Sequence, residues 1–291
     1  VMLDLRKLDH LIAVAEEGGF TRAAERLHLT QQALSTSVRA LEREVGVPLL
    51  DRQGGRVTVL PAGAALIEDA RVLHGLARSA VRRARAVGRD EPETLRVGHT
   101  PAVTGEEVSV LVAAARAAHP GLRAESHQRY PDDLADDLTA GRLDLGLCRG
   151  MRAPHGLVRA TLARHRLRVA VAADHPLAGR PAVALADLRD QRILVWGTPG
   201  RSSYTDFLLD QCRRAGFEPR HERSELQGTP PATAVIGTDA VAFVTLAPGP
   251  AADGRVRVLD LEPAVHAPLH ALWPQHTTSP ARTAFLDAAA G

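Results

Sequence analysis

Lysine is almost missing from this chain: Lys7 is the only one among 36 basic residues, and the rest are arginines. Together with abundant alanine, that bias reads as the mark of a GC-rich genome rather than of a mechanism, so no argument rests on arginine number alone. Aromatic residues make up only 3%, which argues against a large aromatic-lined pocket. The two cysteines, Cys148 and Cys212, are read as reduced packing residues, because a chain without an export signal keeps such thiols unpaired. No apolar run approaches the roughly 18 to 20 residues that span a bilayer. Near the start, Asp4, Arg6, Lys7 and Asp9 interrupt the apolar residues where a secretory leader needs continuity. The expectation is a cytoplasmic protein with no membrane partner.

Catalytic signatures are missing as well. There is no Gly-x-Ser-x-Gly elbow, no phosphate loop, no Cys-x-x-Cys pair and no His-Glu-x-x-His. Neither an enzyme activity nor a cofactor is expected. Among 13 histidines, His266 and His270 have helical i, i+4 spacing, but they bracket Pro268 at the start of an apparent strand, which discards the geometry of a metal pair. No metal is expected. The net charge of +2 neither demands nor excludes a nucleic-acid partner.

What is present falls into three segments within 291 residues. Up to Leu60 the pattern is short helices followed by a Gly-Gly turn. From Ala62 to about Val87 it is one long helix with no internal proline, whose positions Leu66, Ala70, Leu73, Ala77, Ala80, Ala84 and Val87 follow an unbroken four-three spacing. That spacing is a heptad seam, and its alanines allow two such helices to approach closely, so it predicts a dimerisation helix. From Leu95 short apolar runs, among them "LRVG", "LDLGLC", "LRVAVAA", "RILVW", "AVAFVTL" and "RVRVLDL", alternate with helical stretches. The alternation predicts α/β layers with largely parallel sheets, in one sheet or two. Helix starts are read at Ser203, with Asp206 three residues on, and at Ser279 followed by Pro280.

The stretch "GFTRAAERLHLTQQALSTSVRALERE" carries the functional signal. Ala23, Ala24 and Leu27 share one helical face, and Leu34, Val38, Leu41 and Val45 share another. Between them lies a three-residue break, after which Thr30 is placed to cap the second helix. Gln31, Gln32, Ser35, Thr36 and Arg39 form the opposite stripe, crowded toward the N-terminal end. Two short helices so joined, with hydrogen-bonding side chains at the start of the second, match a DNA-reading helix-turn-helix. Glutamine suits the N6 and N7 edge of adenine, while serine, threonine and arginine hold phosphates or a guanine edge. The following "VPLLDR", "QGG" and "RVTVL" predict a β-hairpin wing at Gly54-Gly55 that carries Arg52 and Arg56 toward the flanking backbone. Arg22 completes the expected DNA-binding set.

"FTRAAERLHLTQQALSTSVRALEREVGVPLLDR" with the following "LPAG" resembles the N-terminal signature of LysR-type transcriptional regulators. "AAHPGLR", "LTAGRLDLGL", "ADHPLA" and "RRAGFEP" are similar, in order and spacing, to landmarks of that family's effector-binding region. The chain departs from the family pattern at Gln32, where proline is usual, at Leu50, where phenylalanine is, and at Leu60, where threonine is. It also carries Ala102 where many members place a serine or threonine that binds an anionic inducer; Thr100 and Thr104 flank it.

The resemblance implies a winged helix-turn-helix over residues 1–60, a linker helix over 61–90, and a two-lobed, periplasmic-binding-protein-like effector domain over 94–291. Lobe I would take about 94–164 and 268–291, and lobe II about 167–263, with crossovers near Arg164 to Leu167 and Pro263 to Pro268. It implies double-stranded promoter DNA, a small-molecule effector and a second copy of the chain as partners, in a homodimer or homotetramer, with RNA polymerase as a further candidate. By position the effector cleft is expected to draw on Thr100, Pro101, Thr104, Tyr130, Pro131, Arg149, Thr198, Arg201, Ser202, Ser203, Gln227 and Thr245. Ser202 and Ser203 head a helix, so an anionic effector is expected there, with Arg149 as its counter-ion. The competing readings are an enzyme or a solute-binding protein of similar two-lobed fold.

Overall fold

The computed structural model of the chain describes residues 3–52, 57–224 and 229–290, and the chain divides into two compact units, one of Val1–Gly88 with Thr139–Arg142 and the other of Arg89–Leu138 with Leu143–Gly291. Gly54, Gly55, Arg56 and Gln227 lie outside the described residues.

The first unit begins with three helices, α1 (Leu5–Glu17), α2 (Phe20–Arg26) and α3 (Gln31–Val45). Asp4 caps α1 by accepting from the Arg6 amide at 2.9 Å, and Gly18 ends it in the left-handed region at φ 64°. The break after α2 turns at His28, which takes φ 54°, and Thr30 Oγ1 then accepts from the Ala33 amide at 3.2 Å to start α3. Two short antiparallel strands, β1 (Leu50–Asp51) and β2 (Thr58–Val59), form the base of the wing. Leu8, Leu11, Val14, Ala23, Ala24, Leu34, Val38, Leu41 and Leu49 make the core of this unit. Val45, expected on that face, is the last residue of α3 and is exposed instead.

The long helix α4 (Pro61–Gly88) starts with Pro61 in its first turn. Gly63 lets it approach: a Cβ there would overlap the Leu49 carbonyl. Ile67 and Ala70 are buried in the three-helix core, and Leu66 packs against it. Beyond that point the seam emerges. Leu73 is 38% exposed and Val87 77%; Ala80 and Ala84 are exposed, and Ala77 is half-buried.

The second unit holds two sheets. The first contains β3 (Thr94–His99), β4 (Arg123–Gln128), β5 (Leu145–Cys148), β6 (Leu157–Arg166) and β14 (His266–Pro274), in the order β4-β3-β5-β14-β6. Helices α5 (Gly105–Ala118), α6 (Pro131–Thr139) and α9 (Pro280–Ala290) belong to this lobe. The second contains β7 (Arg168–Ala172), β8 (Ala182–Val183), β9 (Arg192–Val195), β10 (Arg220–Arg223), β11 (Ala240–Val244), β12 (Gly249–Ala251) and β13 (Val256–Leu261), with α7 (Ser203–Arg214) and α8 (Pro231–Ala234). Its order is β10-β9-β11-β7-β13-β12, and β8 also pairs with β13. The chain passes from lobe to lobe at Leu167, between β6 and β7, and again between β13 and β14.

The sheets are mixed rather than largely parallel. β3 runs parallel to β4 and β5, and β9 parallel to β10 and β11, but β7 is antiparallel to β11 and β13, and β14 to β5 and β6. The exceptions are the strands that carry the chain between lobes, which enter each sheet from its far end. Pro268 sits inside β14, where β6 pairs it but β5, whose pairing ends at Cys148 opposite His270, does not reach. Its missing N–H therefore costs no ladder bond. One lobe closes over Leu95, Val97, Leu145, Leu147, Leu269 and Phe285, the other over Leu167, Val169, Ile193, Val195, Val241 and Leu259. Cys148 and Cys212 are free and buried, and burial pushes their thiols up to about 12 and about 11.

Candidate DNA interface and effector cleft

On α3 the side chains of Gln31, Gln32, Thr36 and Arg39 are exposed together on the face opposite Leu34, Val38 and Leu41. Three expected members of the DNA set make contacts within the unit. Ser35 is half-buried and accepts from Arg52 Nη1 at 3.3 Å. Arg52 also donates to Glu42 at 3.1 Å and lies 4.8 Å above the Phe20 ring, so it ties β1 to α3 and α2 rather than reaching outward. Arg22 donates through Nε to the Glu17 carbonyl at 3.0 Å, and through Nη2 to the same oxygen, and so closes the end of α1. Each of these arginines holds helices together in the way a cap or a cation–π contact does.

In the second unit every expected effector position that is described lines one cavity of about 980 Å³: Thr100, Pro101, Thr104, Tyr130, Pro131, Arg149, Thr198, Arg201, Ser202, Ser203 and Thr245. The loop after β3, the start of α6 and the end of β5 supply the wall from lobe I. The loop before α7, the first turn of α7 and the end of β11 supply the wall from lobe II. Trp196, Phe243, Leu208 and Met151 add apolar surface, so the cavity is less polar than the low aromatic content suggests.

The hydroxyl that begins a helix after β3 is Thr104 and not the position of Ala102, because α5 starts at Gly105. Thr104 is already used. Its Oγ1 accepts from the Glu107 amide at 3.2 Å, while Glu107 Oε2 accepts from the Thr104 amide at 2.9 Å, a reciprocal capping box. In α7 the cap is Ser202, one residue before the expected one, and accepts from the Thr205 amide at 3.3 Å. Asp206 Oδ1 accepts from the Gly200 amide at 2.8 Å instead of returning to Ser203.

Arg149 is fully buried, and its guanidinium is matched inside the chain. Nε donates to the Ala102 carbonyl at 3.0 Å and Nη1 to the Pro268 carbonyl at 3.4 Å, while Nη2 meets Glu107 Oε1. The same Oε1 accepts from Thr245 Oγ1 at 3.2 Å and lies 3.2 Å from His165 Nδ1, which itself stands 2.9 Å from Arg149 Nη2. Desolvation raises the Glu107 carboxyl, but the His165 hydrogen bond, the Arg149 charge and the Thr104 amide outweigh it and hold the group at about 2. Arg149, expected as the counter-ion of an anionic effector, thus faces a carboxylate of its own chain. Sequence reasoning missed Glu107, His165 and Trp196. Only Glu107 left a signal, the Thr-x-x-Glu spacing of residues 104 and 107. His165 comes within reach only when β6 pairs with β14.

Among the described residues no helix is long and apolar enough to cross a membrane, and no cluster of three or more histidine, cysteine or acidic side chains has a metal-binding arrangement. Residues 5–64 match the family profile described as a bacterial regulatory helix-turn-helix protein of the lysR family, and residues 88–291 match the LysR substrate binding domain. The chain belongs to the LysR family of transcriptional regulators. This LysR-type chain is 31% identical over 291 residues to the HTH-type transcriptional regulator TfdS of Cupriavidus pinatubonensis, covering 99% of this chain and 98% of that one. It is 30% identical over 219 residues to the HTH-type transcriptional regulator BenM of Acinetobacter baylyi, covering 75% and 72%. The crystal structure of CbnR, a LysR family transcriptional regulator, superposes with a TM-score of 0.62 at 25% identity, covering 99% and 98%. Full-length CbnR complexed with its target DNA superposes equally well, at 26% identity and 99% coverage of both chains. The protein is therefore a DNA-binding transcriptional regulator with an effector-binding domain, and the enzyme reading falls away.

Proposed function

We propose that this regulator reads an operator through Gln31, Gln32, Thr36 and Arg39, with Ser35 at the same helix face and Arg56 holding the flanking backbone. The observation that carries this reading is the polar face of α3. Gln31 and Gln32 stand exposed in its first turn, where the helix N-terminus adds partial positive charge beside phosphates. Arg22 and Arg52 act from behind, by fixing the angles of α1, α2 and α3. The exposed half of the α4 seam, from Leu73 to Val87, takes the same stripe of a second copy, because two half-sites one helical turn apart require a two-fold partner. The cavity of the second unit holds a small molecule that touches both lobes. Its differential affinity for one arrangement of the lobes is what shifts the regulator between states. The protein acts in the cytoplasm, and RNA polymerase is the partner through which bound regulator alters transcription.

The test is enrichment of genomic fragments on the purified full-length protein. A regulator retains one promoter region, commonly its own or a neighbouring one, and Gln31→Ala weakens that preference while keeping unspecific binding. Retention of all fragments alike by the wild type would defeat the reading.

A further inference from the structure

The cleft carries a complete anion-binding site whose occupant is a side chain of the protein itself. Arg149 and Glu107 belong to lobe I, Thr245 follows β11 of lobe II, and His165 lies on β6 beside the crossing at Leu167. The Glu107 carboxylate receives Arg149 Nη2 and Thr245 Oγ1, faces His165 Nδ1, and accepts the Thr104 amide on its other oxygen. This is how a bound carboxylate would be held between two lobes, with charge-assisted bonds from one and a hydroxyl from the other. Nε and Nη1 of Arg149 donate to the Ala102 and Pro268 carbonyls. The second expected anion anchor, the start of α7, also faces a resident carboxylate, since Asp206 accepts the Gly200 amide there. Gly150 seats its backbone against that turn: a Cβ would stand 3.0 Å from the Tyr204 nitrogen, and only φ 72° makes the approach.

Among the described lining residues Arg149 is the one buried charge, and it is already paired. Thr100 is 3% exposed and its Oγ1 has no hydrogen-bond partner among the described residues; the buried Trp196 Nε1 has none either. Both residues line the cavity, one from each lobe, while these two polar atoms are themselves closed off from its open space. The lining charges outside the paired cluster, Glu106, Asp132, Arg152, Arg201 and Arg223, are all exposed. We propose that Glu107 is the specificity-determining residue of this cleft: as an internal counter-ion it fills the anion site of Arg149, His165 and Thr245, so that the effector is an uncharged, largely apolar molecule seated beside Trp196. The proposal rests on the cleft being the effector site.

The experiment uses the full-length protein and pairs of compounds equal in shape and different in charge, butyrate with butyramide and benzoate with benzamide, read by melting temperature and by tryptophan fluorescence in a Trp273→Phe background. The amides are expected to raise the melting temperature of the wild type and change the Trp196 signal, and the carboxylates to do neither. In Glu107→Ala the vacated site should take acetate, with a saturating rise of several degrees that disappears in Glu107→Ala with Arg149→Ala. Stabilisation of the wild type by the carboxylates, lost in Arg149→Ala, overturns the proposal, and so does a folded Glu107→Ala that acetate leaves unchanged. Should Glu107→Ala fail to fold, the wild-type pairs decide alone: a carboxylate that binds more tightly than its amide refutes the assignment. Compounds that stabilise while leaving the Trp196 signal untouched count against the cleft as effector site, and the acetate response still judges Glu107 separately.

Discussion

Replacing Glu107 by glutamine keeps the shape of the side chain and removes its charge, which isolates the electrostatic part of the Arg149 cluster. In the wild type the carboxyl is held at about 2 against an ordinary 4.5. At roughly 1.4 kcal/mol for each tenfold change in the ionisation constant, that difference is worth about 3 kcal/mol. The side chain is only 18% exposed and Arg149 not at all, so solvent screening takes little from the figure. Because the folded-state value is depressed, the stabilisation is complete above pH 4.5 and is lost as pH falls toward 2. Wild type should therefore exceed Glu107→Gln by about 3 kcal/mol at pH 7, with less than half of that left near pH 3. The assay is urea unfolding followed by tryptophan fluorescence. Both tryptophans, Trp196 and Trp273, lie in the effector-binding domain, so the transition reports that domain alone. A gap of equal size at pH 3 and pH 7, or one within about 0.5 kcal/mol at neutral pH, would show that the cluster does not hold its carboxylate as described.

The other predictions concern the DNA-binding unit. Gln31→Ala should cost roughly 1 to 3 kcal/mol at one base position and relax specificity there, measured on a panel of single-base operator variants; a uniform loss across the panel would assign Gln31 to the backbone. Arg52→Ala should destabilise the helix-turn-helix by about 1 to 2 kcal/mol through the lost Phe20 and Glu42 contacts, while the slope of affinity against salt stays at the wild-type value. A slope lower by about one unit would mean that Arg52 touches phosphate after all. Ala80→Glu places like charges opposite one another on the exposed part of the α4 seam, and light scattering should show the dimer lost together with operator affinity; an unchanged dimer would move the interface elsewhere.

Repeating patterns were readable in the sequence, and meetings between distant segments were not. The helix-turn-helix announced itself through Ala23, Ala24, Leu34, Val38 and Leu41 on one side and Gln31, Gln32 and Thr36 on the other, because both faces repeat at the helical period. The strands buried at sheet centres, such as β9 and β11, stood out as apolar runs. The edge strand β10, "RHER", did not, since all four of its residues are exposed and carry no apolar signal. In the cleft, loops placed after β3, β5 and β11 gave the wall residues by position alone. The partner of Arg149 escaped because Glu107 is 42 residues away from it and Thr245 is 138 residues from Glu107. The contacts of Arg52 were hidden for the same reason: its position in the wing points to DNA, and only the folded arrangement brings Phe20, Ser35 and Glu42 around its guanidinium.

The central claim, that this chain recognises a particular DNA sequence through the first turn of α3, is tested most directly by fluorescence anisotropy of the full-length protein on the promoter fragment it enriches and on a scrambled fragment of equal length, at two salt concentrations. The account predicts affinity for the promoter fragment at least about a thousandfold tighter than for the scrambled one, falling with salt on both, and a Gln31→Ala, Gln32→Ala double variant that binds the two alike. Equal affinity of the wild-type protein for both fragments, or a promoter preference that survives the double variant, would contradict it.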